Sequence, residues 1–386
     1  MKEQLTKALN EIESDLKEIS RYLYENPELG DQEYQSAKLL VNYLTQHHFE
    51  VETGIVDRPT AFRAVYDSGK PGATIGYMAE YDALPGVGHG CGHNLIATMG
   101  IGAGILLSKV LEQTGGKVIV FGTPAEETNG AKVPMAEAGL FDELDVAMMV
   151  HPAGESTVSG TSLAMDALEF SYHGKTSHAA AAPEQGINAL DSVIQLFNGI
   201  NALRQHVTSD VRIHGIIKEG GVAANVVPDY AVAQFYVRAK KRSNLNQVVE
   251  KVKRIAASAA DMTGAKLTTR NYELSYDDMI TNEALSAAYQ KNLTAIGEEN
   301  VFSAKSSLGS IDMGNVSHVA PAIHPYIGMN DSSLVAHTKA FADHTMTEHG
   351  QKTLVNGALS LAMTGYDVLM DSQLLEQIKA EFVADS

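Results

Sequence analysis

Three short apolar runs constrain this chain more than any other feature, because each reads as a buried strand and each runs into charged or metal-capable side chains. Residues 73–79 lead to Glu80-Tyr81-Asp82 and then to His89-Gly90-Cys91-Gly92-His93-Asn94; residues 117–121 lead to Thr123-Pro124-Ala125-Glu126-Glu127; residues 146–150 stop at His151-Pro152. Between the first two lies a stretch, 94–113, long enough for a helix. Apolar strands alternating with helices form a parallel sheet covered on both faces, since a strand buried on both sides has no polar face to show. Ligands bind at the carboxyl ends of such strands. The pattern predicts an α/β domain, its sheet mostly parallel and sandwiched by helices, in which distant residues meet along one rim.

From about residue 167 the periodicity changes. Residues 168–172 alternate as a half-exposed strand does, 187–206 read as a helix, 212–218 as a strand, 230–238 as an alternating strand, 245–262 as a helix and 266–273 as a strand. The order β-α-β-β-α-β is the ferredoxin-like arrangement. A four-stranded sheet of this kind leaves edges that invite pairing, so self-association is expected. After about residue 277 the mixture returns, with helices over 282–296, 345–370 and 373–384 and a strand over 322–329. The expectation is a discontinuous catalytic domain, 1–166 and 277–386, interrupted by an inserted α+β domain, 167–276.

At 386 residues the length suits two or three domains, and 44% hydrophobic against 20% charged residues describes an ordinary globular chain. Its net charge of −18 argues against nucleic acid as a partner, because phosphates bind basic surfaces. Leu5, Leu9, Ile12, Leu16, Ile19 and Leu23 recur at steps of four and three, the stripe of an amphipathic helix rather than an export signal. The apolar stretch 95–107 is shorter than the roughly 20 residues a membrane span needs. A single cysteine excludes an intrachain disulfide and suits a reducing compartment. No membrane association and a cytoplasmic location are expected.

His89, Cys91 and His93 put three soft or borderline ligands into five residues, spaced by glycines that let the backbone turn tightly. Imidazole and thiolate suit zinc, and nearby carboxylates can complete the shell. Adjacent glutamates usually mark a solvated helix face, but Glu126 and Glu127 follow an apolar strand. Their side chains diverge, so one carboxylate can bind metal while the other meets the metal-activated water. A metal lowers the pKa of bound water from 15.7 towards about 7, and a general base adds roughly 10²–10⁴-fold. That combination is a hydrolase mechanism.

Glu80-Tyr81-Asp82-Ala83-Leu84-Pro85, His89-Gly90-Cys91-Gly92-His93-Asn94, Pro124-Ala125-Glu126-Glu127 and Gly174-Lys175-Thr176-Ser177-His178-Ala179-Ala180 resemble the aminoacylase and carboxypeptidase-G-like zinc amidohydrolases, peptidase family M-twenty. Within it they look most like the branch with auxin-conjugate hydrolases, aminobenzoyl-glutamate hydrolases and related dipeptidases. Asn26-Pro27-Glu28-Leu29-Gly30, Asn225-Val226-Val227-Pro228-Asp229, Asp312-Met313-Gly314-Asn315-Val316-Ser317-His318 and His337-Thr338 fit as well, so the resemblance runs from about residue 15 to 370. It implies Cys91 and His93 as metal ligands, Cys91 in place of a bridging carboxylate. It further implies Glu126 as general base and Glu127 and His151 as ligands. The last ligand is expected from a late histidine: His337 fits best, with His324 and His344 as alternatives. Asp82 is expected to orient a histidine ligand or the bridging group. His178 is expected to polarise the scissile carbonyl, often in a partner subunit's site, and Asn225 to contact substrate, whereas Arg238 reads as structural. The implied centre takes two divalent metals, zinc first, with manganese or cobalt as alternatives. Glu80 departs from the pattern, since many members carry a histidine there.

Other readings explain less. A Cys91 thiolate paired with His89 or His93 would make a cysteine hydrolase, but it leaves Glu127, His151 and the late histidines without a task. Gly100-Ile101-Gly102-Ala103-Gly104 hints at a nicotinamide enzyme, yet it lies inside a helical stretch rather than at a strand-to-helix turn. A non-catalytic metal-binding regulatory protein on the same scaffold has no need of a base beside Glu127. The expectation is a metal-dependent amidohydrolase acting on small N-acyl amino acids or dipeptides, a homodimer through the inserted domain.

Overall fold

The computed structural model describes residues 2–298, 300–304 and 309–385, and the chain divides into two compact units. The first combines the chain up to Thr161 with the stretches that resume at Met279 and at Asp312; the second is Ser162–Asp278 with residues 309–311.

Thr74–Ala79 lies at the heart of the first unit because it is apolar on both faces. It pairs in parallel with Lys117–Gly122 on one side and Val146–Met148 on the other, and Ala322–Ile323 adds a fourth parallel strand beyond Val146–Met148. At the opposite edge Phe62–Asp67 pairs antiparallel with Lys117–Gly122, and Glu50–Thr53 pairs antiparallel with Phe62–Asp67. The sheet is therefore mostly parallel, with an antiparallel edge that the strand–helix alternation does not announce. Glu50–Thr53 reads Glu-Val-Glu-Thr and is largely exposed, so it carries no hydrophobic signal.

Helix Lys2–Glu25 buries its stripe of Leu5, Leu9, Ile12, Leu16, Ile19 and Leu23. That face packs on His93–Thr114 and on Glu348–Met370. Helix His93–Thr114 has 22 residues and is long and apolar enough to cross a membrane. It extends the apolar stretch 95–107 at both ends, and 94% of its most apolar window is buried inside the protein. Its hydrophobicity is thus that of a core helix.

The stretch 322–329, expected as one strand, divides at His324-Pro325. Ala322–Ile323 stays in the main sheet, while Tyr326–Gly328 joins a small sheet with His151–Ala153, Ser156–Thr157 and Val301–Phe302. Proline has no N–H for a ladder bond, which ends the strand there. The strand before His151 likewise stops at Met148, and His151 opens the next strand by pairing in parallel with Tyr326.

The second unit is a four-stranded antiparallel sheet in the spatial order Lys266–Asn271, Ala164–His173, Tyr230–Ala239, Arg212–Glu219. Helices Ala189–Leu203 and Arg242–Thr263 pack on it, with Leu168, Phe170, Tyr172 and Phe235 meeting Val193, Leu196 and Val252 in the core. The connectivity is ferredoxin-like.

Candidate metal centre

Turns that follow the central strands carry the charged cluster. Glu80, Tyr81 and Asp82 continue from Thr74–Ala79 and are all buried. The chain then reaches Cys91 and enters a helix at His93 through Gly92. Gly92 has φ +77°, and a Cβ there would sit 2.5 Å from Pro152 Cγ, so only glycine permits this turn. At the second junction Ala125 takes φ 62° and ψ 32° and opens the short helix Glu126–Asn129. A left-handed conformation costs a residue with a side chain about 1–2 kcal/mol. His337 is also left-handed, φ 65°, and its N–H donates to Gly90 O at 2.8 Å. Such strain persists only where the surroundings hold it, and it gathers at functional sites.

The side chains converge. Cys91 Sγ lies 3.4 Å from His151 Nε2, and His337 Nε2 lies 3.4 Å from Glu127 Oε1. His93 Nε2 is 3.9 Å from Glu126 Oε2 and 4.0 Å from Glu127 Oε1. Among the described residues, Cys91, His93 and His151 have ligand atoms within 4.8 Å of one another, and so do Cys91, Glu127 and His337. Cys91 belongs to both of these groups, and a third, Glu80 with His93 and Glu126, lacks it. Ligands 2.0–2.3 Å from a tetrahedral metal stand about 3.3–3.8 Å apart, the spacing of Cys91 from His151 and of Glu127 from His337.

Hydrogen bonds decide which imidazole nitrogens remain available. His93 Nδ1 faces two acceptors, Asp82 O at 2.9 Å and Asp82 Oδ1 at 3.0 Å, so it carries a proton and Nε2 is the ligand atom. His151 Nδ1 donates to Pro152 O at 2.8 Å, which frees its Nε2 in the same way. The other oxygen of Asp82 accepts the Glu127 N–H at 3.0 Å. One carboxylate thus orients His93 and anchors the backbone of Glu127, as outer partners of metal-binding histidines do.

Electrostatics favour a cation here. Among the described residues, the carboxyl groups of Glu80, Asp82, Glu126, Glu127 and Asp312 gather around the ammonium of Lys132, which is fully buried and donates at 2.6 Å to both Glu80 Oε1 and Asp312 Oδ1. Burial, reinforced by Glu80 and Asp312, holds the Glu126 carboxyl well above the usual range. Burial pushes the Cys91 thiol up to about 12 against the opposing pull of His93. For His93 burial disfavours the cation, but Asp82, Cys91 and Glu80 outweigh it and its pKa stands well above the ordinary value. His151 goes the other way, pressed to about 3 by burial and by His324. Moreover, His93 Nε2 and Glu127 Oε1 are buried without a hydrogen bond among the described residues, a state that buried polar atoms rarely keep unless something else binds them. Thiol, imidazole and carboxylate donors with excess negative charge fit a divalent metal.

Of the late histidines, His337 joins a ligand group among the described residues. His324 is buried 5.6 Å from His151, ring to ring, but belongs to neither group that shares Cys91. His344 Nε2 is engaged with Met329 O at 2.9 Å. His89 is buried outside these groups, and burial presses its pKa to about 3. On the second unit His178 and Asn225 are exposed neighbours, joined by an Ala179 N–H to Asn225 O bond of 3.0 Å. His178 Nδ1 accepts the N–H groups of Ala180 and Ala181 at 3.2 and 3.1 Å, which makes Nε2–H its outward donor. Arg238 lies over the Tyr236 ring and donates to Ser310 Oγ, a packing role. Sequence reasoning gives Lys132 no part, because a lysine at the start of a helix reads as solvated. The available signal was Glu80 itself: a carboxylate at the end of an apolar strand requires a counter-charge.

This donor set at the rim of an open, mostly parallel sheet puts the protein among metal-dependent hydrolases. A family model described as the peptidase dimerisation domain matches residues 165–262. An Xaa-Arg dipeptidase of Mus musculus is 35% identical, covering 99% of this chain and 92% of its own. One of the subunits of the p-aminobenzoyl-glutamate hydrolase of Escherichia coli is 32% identical over 72% of this chain and 62% of that protein. A dinuclear metal-binding peptidase of Bacillus subtilis shares the fold, with a TM-score of 0.69 at 22% identity over 92% of this chain and 98% of that one. The chain belongs to peptidase family M-twenty, the metal-dependent amidohydrolases.

Proposed function

We propose that this protein is a two-zinc dipeptidase and N-acyl amino acid hydrolase. The observation that carries the reading is the sharing of Cys91 by two ligand groups with Glu126 beside them. Bound metals would lower the pKa of water and polarise the scissile carbonyl. Thiolate and imidazole donors favour zinc over manganese or cobalt. Glu126 takes a proton from water at a carboxylate oxygen and passes it to the leaving nitrogen. Asp82 keeps His93 and Glu127 aligned. His178 donates Nε2–H to the developing oxyanion in a partner subunit's site, where removing one such donor typically costs about 10²–10³-fold in turnover, and Asn225 contacts the substrate there.

Dipeptides with a basic C-terminal residue come first as substrates. The relative matching 99% of this chain is an Xaa-Arg dipeptidase, and a net charge of −18 favours cationic ligands. N-acyl glutamates come second, after the aminobenzoyl-glutamate hydrolase relative. A panel of dipeptides and N-acyl amino acids, followed by release of the free amino acid, tests this. Release of arginine or lysine is expected, and a panel left wholly intact would contradict the assignment.

We further propose a cytoplasmic homodimer formed through the second unit. Arg212–Glu219 is an edge strand, paired on one side by Tyr230–Ala239, with Ile216 and Ile217 59% and 46% exposed. An open apolar edge is a template for another strand. Ile216→Asp with Ile217→Asp should shift the protein from dimer to monomer in light scattering. An unchanged dimer would move the interface elsewhere.

A further inference from the structure

Residues 26–33 contribute to none of the ligand groups among the described residues, yet they touch both turns that do. Leu29 bridges to Ala83, whose N–H donates to Glu28 O at 2.8 Å. Gly30 lies against the other turn: a Cβ there would come within 2.7 Å of Thr128 Oγ1 and 3.0 Å of Ala125 Cα. Three residues further on, Glu33 is completely buried. Its Oε1 accepts the Ala125 N–H at 2.8 Å and its Oε2 accepts the Thr60 hydroxyl at 3.1 Å. Thr60 is itself tied to the first turn, because Tyr81 donates its hydroxyl to Thr60 O at 2.5 Å.

We propose that Glu33 is a positioning residue for the Glu126–Glu127 pair, holding the left-handed Ala125 through its N–H so that both carboxylates leave the turn in fixed directions. The inference rests on the catalytic and ligand roles proposed for Glu126 and Glu127. Without the acceptor, the Ala125 amide would be buried and unbonded, and φ would relax towards the ordinary region. The charge of Glu33 matters less than its acceptor oxygen. Burial raises its pKa to about 7 although several hydrogen bonds oppose the rise, so near neutrality the carboxyl is often uncharged.

Glu33→Gln keeps an acceptor for Ala125 and a group that can bond Thr60, whereas Glu33→Ala keeps neither. In Glu33→Ala, kcat should fall by about tenfold or more with KM nearly unchanged, and zinc affinity measured by competition with a chromophoric chelator should fall about tenfold. Glu33→Gln should restore both. Gly30→Ala, which crowds the same turn from outside, should reproduce the alanine phenotype. If Glu33→Ala does not fold, Glu33→Leu, which fills the space without an acceptor, takes its place. Wild-type turnover and zinc affinity in the alanine or leucine variant would overturn the proposal, and so would an equal loss in Glu33→Gln. A wild-type chain that neither binds zinc nor hydrolyses sinks the reading of the site and this inference with it. An active wild type with unchanged variants sinks the inference alone.

Discussion

Glu126→Gln should retain its metal and lose turnover by about 10²-fold or more, with KM little changed. Glutamine matches glutamate in shape and still fills the space beside His93, but it cannot accept a proton from water. Glu126 lies outside the two ligand groups that share Cys91, and its nearest approach to His93 Nε2 is 3.9 Å. The pairing of unchanged metal with lost turnover therefore separates a base from a ligand. Near-normal turnover would remove Glu126 from the base role. Loss of metal would instead make it a ligand, by way of the third cluster, Glu80 with His93 and Glu126.

The second large effect is expected at Cys91. Its sulfur is common to both ligand groups, so Cys91→Ser should weaken metal binding at both positions together. Serine preserves the size of the side chain but offers a hydroxyl that keeps its proton and a harder donor atom. Affinity should fall by more than the roughly 10–100-fold that losing an outer partner of a ligand costs. Metal content, measured at a concentration that saturates the native chain, should drop, and hydrolysis should drop in proportion. Unchanged metal content would reduce Cys91 to a buried packing residue.

Much of this arrangement is legible in the sequence because strands buried on both faces leave a continuous apolar record. Thr74–Ala79, Lys117–Gly122 and Val146–Met148 announce themselves, and with them the rim that gathers Glu80, Cys91, Glu127 and His151. The ferredoxin-like order is equally plain, since period-two strands and longer helical stripes alternate without ambiguity. Elements that bury little are silent. Glu50–Thr53 sits on an exposed edge, and Tyr326–Gly328 is too short to be told from the strand before it. Partners across long sequence distance are silent too. Nothing local to Lys132 reveals that it lies between Glu80 and Asp312, and nothing local to Glu33 reveals Ala125. The late histidines show the same limit: His324, His337 and His344 differ in what surrounds them, not in residue type.

On the proposed reading, metal held by Cys91, His93, Glu127, His151 and His337 powers amide hydrolysis. Elemental analysis of the purified chain, together with hydrolysis of the dipeptide and N-acyl amino acid panel before and after chelation, tests it most directly. About two metals per chain are expected, with activity abolished on chelation and restored when metal is returned. A metal-free chain that still hydrolyses its substrate would rule out a metal-driven reaction and return the Cys91 thiol to consideration as a nucleophile.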